Sequence, residues 1–234
     1  MDDKTAAIIG VVALCLLLLL TLSLFHGSSG KVKDRRVVIR SITADAMVMA
    51  VILLMTFVPT LGFIQVTPLI SFTLVHLPVL LGAAIGGWKK GLMFGFVFGV
   101  SSYINAFGTT GLNLLFAQPW IAIPPRVLFG LFAGIAFSLL GKVSKWRSKV
   151  LYLALVAALC TVVHTVLVFA NLAIYYPNVI AGYFTSTDPV AAGTSLTFTV
   201  IIAIGMAGET AIAAIIIPPV VAALQKAVPS LWKR

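Results

Sequence analysis

The chain has 234 residues, of which 61% are apolar and 9% are charged, whereas a soluble domain has about 45–50% apolar and about 25% charged residues. A soluble protein of this length cannot bury so much apolar surface, so the composition excludes an ordinary water-soluble domain and favours a protein embedded in lipid. The apolar runs are long and unbroken. They predict helices, because the strands of a membrane barrel alternate apolar and polar residues.

Seven apolar segments approach the length of about 20 residues that a membrane-spanning helix needs. In chain order they are Ala6–Phe25, Ile42–Gly62, Val75–Trp88, Gly91–Phe107, Pro119–Leu140, Val150–Ile174 and Thr194–Leu224. The segment Phe63–Leu74 is apolar and β-branched and contains Pro68, which predicts an extended or re-entrant connection. The predicted fold class is an all-α polytopic membrane protein. We expect residues 31–234 to form a six-helix membrane domain and residues 1–30 to form one additional N-terminal transmembrane anchor with a short linker.

The basic residues indicate which ends of these helices face the cytoplasm. Most of the 16 Lys and Arg residues lie in segments 31–40, 89–90, 142–149 and 225–234. Lys and Arg are absent from the intervening turns near 63–74, 108–118 and 175–193. Basic loops remain cytoplasmic, so we expect a multi-pass protein of the cell membrane with a cytoplasmic C-terminus. The basic flank after the first helix favours a retained anchor over a cleaved signal peptide.

Four ionisable groups lie between these basic segments, namely Asp45, Arg126, Asp188 and Glu209. A charge at membrane depth costs at least about 2.5–3.5 kcal/mol, so each needs a partner, water or a function. The planar guanidinium of Arg126 suits a carboxylate or a phosphate. Arg126 either binds an anionic solute from outside or is structural, pairing with Glu209 or capping carbonyls that Pro124 and Pro125 leave free.

The other three charged groups allow simpler interpretations. Asp45, near the cytoplasmic start of its helix, suits the helix dipole, and Asp188 suits a solvated outer loop. Glu209 is a proton carrier, a ligand contact or the partner of Arg126.

Neutral polar side chains concentrate toward the predicted outer ends of the helices, where convergent polar groups are typical of small-solute sites. An aromatic belt at the membrane surface also explains Trp120, and satisfied packing groups explain His76 and His164. The candidate substrate-binding residues are His76, Asn105, Gln118, Trp120, Arg126, Asn171 and Glu209.

The sequence contains no motif that indicates catalysis or metal binding. HExxH, GxSxG and GxxxxGK[ST] are all absent, and Cys15 and Cys160 lie in apolar tracts without CxxC spacing. The net charge of +10 resides mainly in the segments that flank the predicted helices, which argues against nucleic acid as a partner. We therefore expect no enzymatic activity, no cofactor and no metal.

Three stretches resemble the S components, the substrate-binding membrane subunits, of energy-coupling factor (ECF) vitamin transporters, and most of all the pantothenate-type branch. They are ISFTLVHLPVLLGAAIGGWKKGLMFGFVFGVSSYINAFG (70–108), IPPRVLFGLFAGIAFSLLGK (123–142) and GETAIAAIIIPPVVAAL (208–224). The resemblance covers roughly residues 40–226. It implies a six-helix S-component bundle with an occluding first outer loop and one vitamin bound near the outer face. The N-terminal helix is extra to this minimal fold.

The resemblance also implies partners, namely a transmembrane coupling (T) subunit and two cytoplasmic ATPase subunits. The family's AxxxA coupling pattern matches Ala46 and Ala50, and its PR pair matches Pro125 and Arg126. The carboxylate, hydroxyl and amide groups of pantothenate suit Arg126 with Asn105 and Asn171. Two alternatives stay open. One is an S component for riboflavin, folate, pyridoxine or hydroxymethylpyrimidine, and the other is a stand-alone channel or secondary carrier.

Overall fold

The computed structural model describes residues 35–58, 61–65, 71–109, 111–139, 146–184 and 189–228. The α-helices in this part of the chain are Arg35–Phe57 (α1), His76–Ala106 (α2), Pro119–Ser138 (α3), Trp146–Tyr175 (α4), Pro177–Phe184 (α5) and Pro189–Ala227 (α6). Two short strands, Phe63–Gln65 (β1) and Ser71–Thr73 (β2), and a 3₁₀ helix, Gly111–Ala117, lie between them. The predicted anchor and Asp188 lie outside the described residues.

Four helices are long and apolar enough to cross a membrane, at Val38–Phe57, Pro119–Ser138, Ser148–Tyr175 and Ile202–Ala227. They coincide with four of the predicted spans, in agreement with a helical membrane protein. The predicted spans Val75–Trp88 and Gly91–Phe107 both fall within α2. The complete arrangement of six core helices and an anchor stays a prediction.

Helix α2 consists of two arms that reverse direction at Gly87. This residue has φ 70° and ψ −160°, a conformation that glycine adopts without steric cost. A Cβ atom on Gly82 would touch the ring of Phe94, although these residues would lie about 18 Å apart along a continuous helix. The arms therefore fold back on each other, as the prediction of two separate spans requires.

The second arm of α2 and helix α3 approach each other at backbone contact distance. Gly91 and Gly95 of α2 face Gly130 and Gly134 of α3, and a Cβ atom on Gly95 would meet the carbonyl oxygen of Arg126. Small residues at intervals of four form a smooth stripe that lets two helices approach closely in lipid. This contact fixes the position of the Arg126 backbone relative to α2.

Strands β1 and β2 form an antiparallel hairpin in which Phe63 pairs with Thr73. The hairpin occupies the segment that the sequence predicted to be an extended connection. Its second strand rests on α6, where the ring of Phe72 covers Gly205. This end of the bundle is termed the hairpin end.

The opposite end, termed the basic end, contains an ion pair between α1 and the turn of α2. The Nζ atom of Lys90 lies 2.7 Å from Oδ1 of Asp45 and donates a hydrogen bond of 2.9 Å to Oγ of Ser41. The sequence interpretation assigned Asp45 to the helix dipole. That assignment is wrong, because α1 begins at Arg35 and Asp45 lies well beyond its first turn.

Candidate functional site

Helix α3 begins with a stretch in which two prolines interrupt the hydrogen-bond ladder. Pro124 and Pro125 have no N–H group, so the carbonyl oxygens of Trp120 and Ile121, four residues earlier, lack their usual donors. The side-chain amide of Asn171, on α4, donates to the first at 3.0 Å and to the second at 3.2 Å. Asn171 is therefore tied to the backbone of α3.

Arg126 follows the two prolines and is buried, with 4% of its surface exposed. Its Nη1 atom donates to the carbonyl oxygen of Ile121 at 3.2 Å. The guanidinium carbon lies 4.4 Å from the ring centroid of Phe116 and 5.7 Å from that of Phe98. Its Nε atom is buried and has no hydrogen-bond partner among the described residues. A permanent cation with an unused donor in aromatic surroundings suits an anionic ligand.

Glu209 belongs to a different set of contacts. Its Oε1 atom accepts a hydrogen bond from the backbone N–H of Thr73 at 2.5 Å. Among the described residues no ion pair joins Glu209 to Arg126. The sequence left a second structural role open for Arg126, the capping of a carbonyl group that the prolines leave free. The described residues show this role, because Arg126 donates to the carbonyl oxygen of Ile121, which has no donor from Pro125. That cap leaves the Nε donor of Arg126 available.

His76 begins the first arm of α2 and is fully buried. Its Nδ1 atom lies 2.6 Å from the carbonyl oxygen of Thr73. A carbonyl oxygen only accepts hydrogen bonds, so Nδ1 carries a proton and Nε2 of the neutral ring is an acceptor. Within the described part of the chain this buried Nε2 atom has no partner. Glu209 of α6 thus accepts a hydrogen bond from the backbone N–H of Thr73, and His76 of α2 donates one to its backbone carbonyl oxygen.

His164 on α4 lies beside these groups, and sequence reasoning missed it. Its ring stacks on that of His76, with centroids 5.8 Å apart and an interplanar angle of 18°. Both of its ring nitrogens are buried without a hydrogen-bond partner among the described residues. The described residues therefore do not supply the hydrogen bonds that a satisfied packing group would have. The available signal was its spacing of two helical turns from Asn171, which places both side chains on one face of α4.

The buried polar cluster comprises His76, Arg126 and His164. The half-buried Asn171 lies beside it and donates to the same carbonyl oxygen of Ile121 as Arg126 does. The other predicted site residues lie at the hairpin end without a described side-chain hydrogen bond to this cluster. Trp120 contributes its backbone carbonyl, while its side chain is half-exposed, and Gln118 and Asn105 are half-buried. Among the described hydrogen bonds, Glu209 connects to the cluster through Thr73. Ligand contact by these four residues stays a prediction.

Comparison with known proteins relates the chain to a transport family. The family model for the substrate-specific component of ECF transporters matches residues 40–227. The chain belongs to this family.

Two curated relatives of this ECF substrate-specific component have names that state a substrate. The pantothenate transporter PanT of Leuconostoc mesenteroides is 30% identical over 123 residues, which cover 50% of this chain and 60% of the relative. The pantothenic acid transporter PanT of Lactococcus lactis is 32% identical over 119 residues, which cover 44% of this chain and 57% of the relative. The chain thus spans less than two thirds of the length of each relative.

The coupling residues predicted for this ECF substrate-specific component lie on the surface of α1. Ala46 and Ala50 are both exposed, one helical turn apart. Met47, Val51 and Leu54 are exposed beside them, at 65%, 46% and 54%. Small residues flanked by larger apolar ones make a face that another membrane helix can approach closely.

Proposed function

We propose that this protein captures pantothenate from outside the cell for ATP-driven uptake. Membership of the ECF substrate-specific family supports a solute-binding role in transport. The names of two relatives, both pantothenate transporters, support the choice of vitamin. The buried polar cluster supplies groups that match the ligand's carboxylate, hydroxyl and amide groups.

The observation that carries this proposal is the buried, unused Nε donor of Arg126. Burying a charge without a counter-ion is costly, and the described residues provide no carboxylate for Arg126. The carboxylate of pantothenate would supply both the missing negative charge and the missing acceptor. Asn171 braces the same stretch of α3 from the side of α4.

The same proposal assigns the two ends of the bundle and the partners. The basic end and the C-terminus face the cytoplasm, and the hairpin end faces outward, so that the ligand enters near β1 and β2. The core comprises α1, the two arms of α2, α3, α4 and α6, preceded by the N-terminal anchor. A T subunit packs on the face of α1 that includes Ala46 and Ala50, and it connects the protein to two ATPase subunits.

Binding of pantothenate to the purified chain in detergent tests the substrate. Arg126→Lys keeps the charge but loses the planar fork, so we expect isothermal titration to show a loss of about 1–3 kcal/mol in binding free energy. Arg126→Ala should lose more. Arg40→Lys on the exposed surface of α1 is the matched control and should bind as the wild type does.

The alcohol analogue of pantothenate lacks the carboxylate and should bind the wild type weakly. It should also discriminate little among the Arg126 variants, because they differ in how they hold a carboxylate. Unchanged pantothenate binding by Arg126→Ala would remove the proposed role of this residue. Preferential binding of riboflavin, folate or pyridoxine would replace the proposed vitamin.

Reconstitution in vesicles separates the transporter subunit from a stand-alone carrier. The protein alone should bind pantothenate but not accumulate it, whereas addition of a T subunit, the ATPase subunits and ATP should drive uptake. Uptake by the isolated chain without ATP would identify a secondary carrier instead.

A further inference from the structure

Four buried nitrogen atoms in one region have no hydrogen-bond partner among the described residues. They are Nε of Arg126, Nε2 of His76, and Nδ1 and Nε2 of His164. Most buried polar atoms in proteins are paired, and each unpaired one costs free energy. Among the described residues, four of the five buried side-chain atoms without a partner are these nitrogens, the fifth being Oγ1 of Thr210. A ligand that completes the hydrogen bonds of the four nitrogens would account for their concentration.

The rings of Phe98 and Phe129 lie against the side chains of Arg126, His76 and His164. The ring of Phe98 lies 5.7 Å from the guanidinium carbon of Arg126 and 5.7 Å from the ring centroid of His164. Phe129 contacts His164 at 4.8 Å and His76 at 6.3 Å between ring centroids. Arg126 and His164 thus both lie beside Phe98, which places the guanidinium and the two stacked imidazoles in one region.

The guanidinium of Arg126 and the two imidazoles differ in their hydrogen-bonding capacity. The guanidinium of Arg126 offers only donors and a full positive charge. His76 offers an acceptor at Nε2, because the carbonyl oxygen of Thr73 fixes the proton on Nδ1. A neutral His164 offers one donor and one acceptor. The histidine pair therefore complements hydroxyl groups, which both donate and accept.

We infer that His76 and His164 bind the hydroxyl-bearing end of the ligand while Arg126 binds its carboxylate, so that the two histidines determine specificity. This inference rests on the proposed function and orients the ligand within it. The preferred substrate is a hydroxy acid with a single negative charge. A phosphate at the hydroxyl end would face the lone pair of Nε2, and a hydrogen in place of the hydroxyl would leave these nitrogens unpaired.

Two substitutions remove these nitrogens while retaining other contacts. His76→Asn places an amide N–H near the position of Nδ1, so it preserves the bond to Thr73 and deletes the acceptor at Nε2. His164→Phe keeps an aromatic ring against Phe98 and Phe129 and deletes both nitrogens. Arg126→Lys is the comparison variant, because it changes the carboxylate end alone.

Titration calorimetry with three compounds tests the assignment. They are pantothenate, pantothenate phosphorylated on its terminal hydroxyl, and an analogue with hydrogen in place of that hydroxyl. The wild type should favour pantothenate over both others by at least about 100-fold, as sites built to bind a hydroxyl do. Each histidine variant should weaken pantothenate binding about 10- to 100-fold and bind the deoxy analogue within about threefold of the wild type. Arg126→Lys should weaken the binding of pantothenate and the binding of the deoxy analogue by the same factor.

Thermal melts of the ligand-free protein provide a readout that does not depend on ligand. His164→Phe should raise the melting temperature, because it removes two buried unpaired nitrogens. Equal weakening of pantothenate and of the deoxy analogue by both histidine variants, or a lower melting temperature for His164→Phe, would overturn the inference while leaving the proposed function intact. A wild type that does not bind pantothenate would overturn both.

Discussion

Asn171 and Trp120 are joined across two helices by a hydrogen bond of 3.0 Å, from the side-chain amide of the first to the backbone carbonyl of the second. Pro124 has no N–H group to donate to that carbonyl. The amide therefore replaces a backbone donor from a position 51 residues away. The start of α3, and with it the placement of Arg126, depends on α4.

Removal of the Asn171 amide should destabilise the protein. Asn171→Ala leaves the carbonyl oxygens of Trp120 and Ile121 without this donor, so we expect the unfolding free energy to fall by about 1–3 kcal/mol. Thermal melts of the ligand-free protein in detergent measure the change. Asn178→Ala, on the exposed surface of α5, is the control and should melt with the wild type. Equal melting temperatures for Asn171→Ala and Asn178→Ala would show that water or other groups donate to these carbonyl oxygens.

Arg126 and Glu209 should act independently on stability. Their described hydrogen bonds go to different partners, Ile121 and Thr73. The effects of Arg126→Gln and Glu209→Gln should therefore add within about 0.3–0.5 kcal/mol in the double variant. Melts of the two single variants and the double variant give this comparison. Recovery of stability in the double variant would show that the two side chains form an ion pair.

Bulky residues at Ala46 and Ala50 should block transport without blocking binding. Ala46→Leu and Ala50→Leu enlarge the exposed face of α1, so the T subunit can no longer approach closely. Uptake by the reconstituted transporter should be abolished, while titration calorimetry should show unchanged pantothenate binding. Ala170→Leu, exposed on α4, is the size-matched control. If binding fails together with uptake, the two alanines support the protein's own packing.

Accessibility labelling tests the assignment of the two ends. Gly182, on α5, is exposed, and no atoms surround the position of a Cβ atom there. Lys89 is exposed at the turn of α2. A membrane-impermeant thiol reagent applied to whole cells should label Gly182→Cys and spare Lys89→Cys. Labelling of both positions from outside would reverse or abolish the proposed orientation.

The helical spans could be predicted from the sequence because long apolar runs have few structures available to them in lipid. The extended connection after α1 followed from its β-branched residues and Pro68. The structure of the turns near 108–118 and 175–193 was harder to predict, because they contain the 3₁₀ helix and α5. Both elements are short, and their apolar side chains do not distinguish them from the neighbouring spans.

The contacts within the site depended on packing that the sequence does not display directly. The pair Pro124-Pro125 predicted free carbonyls, but nothing local identified Asn171 as their donor. His164 was interpreted as a packing group because its segment is mostly apolar, and the sequence does not show that His76 stacks on it in the fold. The fourfold spacing of Gly91, Gly95 and Gly99 was a readable signal for the close approach of α2 and α3.

The backbone of Thr73 connects the hairpin to two side chains of the bundle, Glu209 and His76. Its carbonyl oxygen holds the proton of His76 on Nδ1, and its N–H group is held by Glu209 on α6. A ligand that donates a hydrogen bond to Nε2 of His76 favours the tautomer with the proton on Nδ1. The hydrogen bond to the carbonyl oxygen of Thr73 favours the same tautomer. Under the proposed function, ligand occupancy and the contact of β2 with α6 would therefore strengthen each other, and this coupling would be reciprocal.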